Sequence, residues 1–98
     1  MILKLHPLAE AELKIALDYY YAISPKLEAN FLFTLDNAFS NIKQSPNLYP
    51  HETKTAQKVV MEKFPYIVLY EKYENIIMIL AIFHTRQDSE KLTNRDRE

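Results

Sequence analysis

The chain is predicted to fold as an α+β layer with the order β-α-α-β-β-β: a short N-terminal strand, an antiparallel helical hairpin, then a three-strand antiparallel meander. Three observations predict this. Residues 7–23 and 25–44 carry apolar residues at helical spacing, only one Ser-Pro step divides those two segments, and the later segments are rich in branched and aromatic residues bounded by turn signals.

Ile2 to His6 reads as a first strand stopped by Pro7, a residue that also suits the first turn of a helix. From Pro7 to Ile23, Ala9, Leu13, Ala16 and Tyr20 recur at spacings of four, three and four with Leu17 beside them, while Glu10, Lys14 and Asp18 share another face. This is an amphipathic helix. Ser24-Pro25 restarts helical structure at once, because serine caps free backbone amides and proline at the first helical position gives up no needed donor. In the second helix Leu27, Phe31, Leu35, Ala38 and Ile42 form one stripe, widened by Leu32 and Phe39. Ser45-Pro46-Asn47 ends it, and residues 45–56, with Pro50, read as a loop. The brief link between the helices favours an antiparallel hairpin.

Gln57 to Lys63 mixes branched residues with charge, as suits a strand near a sheet edge. Tyr66 to Tyr73 is a second strand of the meander, and Asn75 stands where glycine usually makes the turn. Ile76 to Phe83 has no polar position, so both faces of that strand are expected to be covered inside the sheet. Residues 1–88 are read as one domain, and residues 89–98 as a charged tail expected to fray.

Composition narrows the chemistry. Of 98 residues, 48% are apolar and 26% charged, which is the balance of a globular domain. The first residues lack the apolar stretch of a secretory signal, and the longest apolar run is too short to span a bilayer, so the cytoplasm is the expected compartment and no membrane is expected as a partner. Without cysteine there is no disulfide, thiolate nucleophile or cysteine-ligated zinc. Without glycine, where roughly seven are usual, there is no phosphate-binding loop or nucleophile elbow. A net charge of −1 with three arginines argues against a surface devoted to polyanions and leaves room for a local basic patch.

The residues that could act lie mostly late in the chain. His84, Arg86 and Asp88 alternate, so if strand geometry continues past Phe83 they share one sheet face. An Arg86–Asp88 ion pair would hold the tail, whereas a free guanidinium would suit phosphate or carboxylate recognition. Lys54, Lys58 and Lys63 would form a basic strip if they gathered with Arg86. Cleavage of RNA without a metal needs a base for the 2′-hydroxyl, a cation and an acid, roles open to His84, Arg86 and Tyr66 or Tyr70, with Lys58 beside them. Tyr19 and Tyr21 flank the apolar stripe of the first helix, where they either cover the core edge or form a partner surface. His6, His51 and His84 lack the spacing of a zinc site, and no metal or cofactor is expected. Glu10 and Glu12 diverge on the helix and are expected only to be solvated.

Several phrases give the chain a family likeness: Ala11-Glu12-Leu13, the Ser24-Pro25 joint, Asn47-Leu48 after Pro46, Phe64-Pro65-Tyr66, and Phe83-His84 followed by Arg86. In these it resembles the RelE/ParE superfamily of bacterial toxins, and ParE-like members most. The resemblance implies a toxin of a type II toxin–antitoxin module, acting in plasmid stabilisation and growth arrest. It also implies a cognate antitoxin whose C-terminal segment wraps the toxin, with a toxin–antitoxin hetero-oligomer as the resting form. ParE-like members inhibit DNA gyrase by protein contact, with no established catalytic residue. RelE-like members are endoribonucleases that cut messenger RNA on the ribosome, and a third expectation is a non-toxic binding module of the same fold. Target contacts would fall on Lys58, Lys63, His84, Arg86 and Asp88. The chain departs from the ParE-like pattern in three places: Gln57-Lys58 and Gln87 stand where arginines are frequent, and Ser89 replaces a frequent proline.

Overall fold

The computed structural model describes residues 1–86. Its elements follow the predicted order: β1 (Ile2–Leu5), α1 (Pro7–Ile23), α2 (Pro25–Gln44), β2 (Gln57–Val60), β3 (Tyr66–Tyr73) and β4 (Ile76–His84). Both helices open on proline, and each has a side-chain cap. His6 Nδ1 accepts the Leu8 N–H at 3.1 Å, and Ser24 Oγ accepts those of Lys26 and Leu27 at 3.2 and 3.4 Å. Ser24 also ends α1, its own N–H donating to Tyr20 O at 2.9 Å. One residue therefore closes one helix and starts the next.

The sheet runs β1-β4-β3-β2. β2, β3 and β4 form the predicted antiparallel meander, while β1 pairs with β4 in parallel, which makes the sheet mixed. The uniformly apolar β4 lies between β1 and β3 and is covered on both faces. Towards the helices, Ile77, Ile79 and Ile82 join Phe31, Leu35, Ile42 and Val68; on the other face Leu69, Leu80, Ala81 and Phe83 cluster with Ala56.

Three local expectations need correction. β2 stops at Val60 rather than Lys63, because the chain begins a tight reversal there, although Met61 N–H still reaches Tyr66 O at 2.9 Å. Between β3 and β4 the left-handed residue is Glu74 (φ 43°), not Asn75, so the first position of the two-residue turn carries the backbone demand. Leu32, expected to widen the α2 stripe, is 47% exposed, while Phe39 is half-buried.

The loop after α2 is tied to the sheet by buried polar groups. The Gln57 amide donates to Pro46 O and Tyr49 O, each at 2.9 Å, and the Tyr70 hydroxyl donates to Pro46 O at 2.6 Å. On the sheet's second face, the carboxylate of buried Glu71 accepts from the hydroxyls of Thr55 and Tyr73. Among the described residues, no helix is long and apolar enough to cross a membrane.

Candidate functional site

The Phe64-Pro65-Tyr66 turn positions the site. Lys63 takes a left-handed backbone (φ 67°), and Phe64 N–H donates to Glu62 O and Tyr66 N–H to Phe64 O, both at 2.8 Å. The reversal sends both flanking rings beneath the helical hairpin. Phe31 lies 5.1 Å from the centroids of Phe64 and Tyr66, and Tyr20 lies 5.1 Å from Phe64 and 6.1 Å from Tyr66. Such ring contacts add about 0.5–1.5 kcal/mol each beyond burial. They fix the turn against both helices.

Tyr66 pairs across the sheet with His84, with ring centroids 5.4 Å apart in an edge-on arrangement. The two line a cleft of about 270 Å³ with Glu12, Ile15 and Ala16 of α1 and with Ile82. A bulge sets which way His84 points. Leu69 pairs with Ala81 and Tyr70 with Ile79, leaving Leu80 as the extra residue, so Leu80 and Ala81 face one way and Ile82 and His84 the other. In an unbroken ladder counted from Ile77, His84 would fall on the far face.

β1 ends opposite Ile79, so β4 runs on past it without that neighbour. There Glu12 Oε1 accepts the Ile82 N–H at 2.9 Å, replacing the absent strand's carbonyl. This corrects the expectation that Glu12 is merely solvated. Helical spacing separates it from Glu10 but gives no sign that it reaches a strand seventy residues away. His84 Nδ1 accepts the Arg86 N–H at 3.1 Å, which places the ring proton of the neutral imidazole on Nε2. Thr85 N–H donates to Pro65 O at 2.8 Å, so the chain turns over Pro65 and leaves Arg86 exposed.

Burial pushes the Tyr66 phenol up to about 12, with charge repulsion from Tyr20 and the Tyr20–Tyr66 hydrogen bond adding to it. Burial raises Tyr20 as well. At neutral pH the Tyr66 phenol is therefore uncharged, and it lines the cleft with the His84 imidazole and Glu12, while the exposed Arg86 guanidinium lies outside. These groups suit recognition by hydrogen bonds and charge.

The predicted residues gather only in part. Tyr66 and His84 meet, and Lys63 and Arg86 lie at the same end of the sheet, on either side of the Pro65 turn. Strand geometry stops at His84, however, so His84 and Arg86 do not share a strand face, and Asp88 lies outside the described residues. Lys58 sits beside Leu69 on the sheet face opposite the helices, where it pairs with Glu52 at 2.9 Å. It cannot complete a strip with His84 there. Tyr70 is fully buried, bonded to Pro46 O, and raised to about 12 by burial, which removes it from any acid role at this cleft. Tyr19 and Tyr21 are exposed on α1 at 60% and 57%, and Lys54 is exposed in the loop.

The arrangement of a helical hairpin on a four-stranded mixed sheet has a counterpart among solved structures. A chain described as the chromosomal ParDE toxin–antitoxin system from P. aeruginosa matches with a TM-score of 0.75 at 23% identity, over 86% of this chain and 95% of that one. The fold class is thus that of ParE-like proteins. The family profile described as "ParE toxin of type II toxin-antitoxin system, parDE" matches residues 3–89, and the chain belongs to that family. No curated protein matches it.

Proposed function

We propose that this protein is the toxin of a type II toxin–antitoxin module in the bacterial cytoplasm, arresting growth by protein contact with DNA gyrase until a cognate antitoxin neutralises it. Residues 1–88 form the toxin domain in this reading, and residues 89–98 a charged tail. The observation that carries it is the division of labour at the sheet end. Tyr66 and His84 are committed to internal contacts through the Tyr20 hydroxyl and the Arg86 N–H, whereas Arg86 and Lys63 stay exposed around the same turn. A surface of this kind offers charge to a partner without assembling a complete acid–base set. Lys58 and Asp88 remain candidates for contacts beyond this turn, and Tyr19 and Tyr21 for the antitoxin surface.

The direct test is gyrase-dependent supercoiling with purified protein. Inhibition relieved by Arg86→Ala or Lys63→Ala supports the reading, while full supercoiling at excess protein that still arrests growth removes gyrase as the target. A second reading, a ribosome-dependent ribonuclease, is favoured by the Tyr66–His84 juxtaposition alone. It requires messenger RNA cleavage in a translating extract that His84→Ala abolishes.

A further inference from the structure

We propose that α1 carries a self-complementary seam through which two copies of this chain pair as an antiparallel dimer. The inference does not depend on the functional reading above, although it gives Tyr19 a second use beside the antitoxin surface proposed there. Besides its buried stripe of Ala9, Ala16 and Tyr20, α1 presents a second apolar line. It consists of Leu8, Ala11, Ile15, Tyr19 and Ala22, all exposed, with Ile15 at 69%, Tyr19 at 60% and Leu8 at 39%. At 3.6 residues per turn these five fall within an arc of about 80°, the narrow seam of a two-helix pairing rather than the broad face of a core helix.

The spacing is symmetric about Ile15. Ala11 and Tyr19 lie four residues to either side, Leu8 and Ala22 seven. A twofold axis at Ile15 would set Ile15 on its own copy, Ala11 on Tyr19 and Leu8 on Ala22. Leu8 and Tyr19 then each meet an alanine on either side of a central Ile15–Ile15 contact, as interdigitated packing needs. Charge agrees with the same geometry. Lys14 and Asp18, an exposed pair 3.3 Å apart, flank the seam on one side. In an antiparallel pair each flank meets its own copy reversed, so Lys14 of one chain lies beside Asp18 of the other, twice per dimer. A parallel pairing would lose both the size match and the charge match.

Seventeen residues give a contact about 25 Å long, at the small end of specific interfaces, so pairing is weak and depends on concentration. Ile15 also rims the Tyr66–His84 cleft, so a dimer lays the second copy's helix along the mouth of that cleft.

The absence of native cysteine makes the geometry directly readable. Under mild oxidation Ile15→Cys is expected to form a disulfide-linked dimer. Ala11→Cys and Tyr19→Cys are expected to remain single chains alone and to cross-link when mixed. These positions are exposed, so the variants fold, which far-UV circular dichroism verifies. Sedimentation velocity from micromolar to millimolar protein is expected to show a monomer–dimer equilibrium that Asp18→Lys weakens at least tenfold and that adding Lys14→Asp restores. Three outcomes overturn the proposal: a monomer throughout that range; Ile15→Cys cross-linking no faster than Tyr21→Cys, which lies off the seam; or self-cross-linking of Ala11→Cys, which reports a parallel pair. A chain that stays monomeric and engages only another protein's helix at this seam overturns it equally.

Discussion

Glu12 sits in the second turn of α1, yet its carboxylate satisfies a strand amide because β1 is only four residues long and leaves β4 running on without a neighbour on that side. An amide left buried without an acceptor costs about 1–3 kcal/mol, so the residue supports the strand that delivers His84. Glu12→Ala is expected to lower stability by about 1–3 kcal/mol, and Glu12→Gln by less, since the amide oxygen still accepts. Urea denaturation measures both. Hydrogen exchange at Ile82 should accelerate more in the alanine variant than in the glutamine one; equal exchange in the two would show that the carboxylate does not hold this edge. Glu74 and Lys63 belong to the same scale. Each occupies a left-handed position in a chain without glycine, where a Cβ is disfavoured by about 1 kcal/mol or more.

Among the elements, the helical hairpin depends on a one-residue joint. Ser24 accepts two amides of α2 and donates its own N–H to α1, so the reversal takes no loop and the helices stay antiparallel under one fixed geometry. Replacing a serine cap by alanine typically costs about 1 kcal/mol. Ser24→Ala is therefore expected to lower the melting temperature by about 4–8 °C, by the scaling for a domain of this size. A calorimetric scan with no shift would mean that Pro25 alone starts the helix. Both helix starts and β3 were legible in advance, because proline, serine and alternating branched residues act locally. The β2 end was not: what stops it is the Lys63 reversal and the burial of Phe64 under the helices, and neither belongs to the strand's own residues.

For the whole molecule, the two sheet faces and the aromatic cluster between sheet and helices set how stability responds to pH. Tyr66 and Tyr70 hold their protons more tightly in the folded chain, with both pushed by burial from 10.0 to about 12. Their contribution is fully present below the unfolded value near 10 and is lost as pH rises towards 12, since unfolding then releases protons the folded state retains. Urea midpoints are expected to be insensitive to these two groups from pH 7 to 9 and to fall between about 10 and 12, as phenolate absorbance rises with unfolding. Phenolate formation by Tyr66 or Tyr70 themselves at pH 10 without loss of structure, read with each replaced in turn by phenylalanine, would contradict this.

Taken by itself, the sequence determined the element order, both helix starts by proline and the Ser24 cap of α2, the central place of an apolar β4, and the family likeness carried by Phe64-Pro65-Tyr66 and by His84 with Arg86. Those depend on local propensity and on period, which neighbouring residues suffice to encode. Tertiary structure alone decided how the late residues meet. A strand without a polar position shows no alternation, so nothing in it marks Leu80 as the bulge that turns His84 towards Tyr66 and α1. Likewise the parallel docking of β1, the reach of Glu12 to Ile82 and the placing of Lys58 on the opposite face all depend on contacts between distant segments. Register and packing set those contacts, and they are properties of the folded chain as a whole.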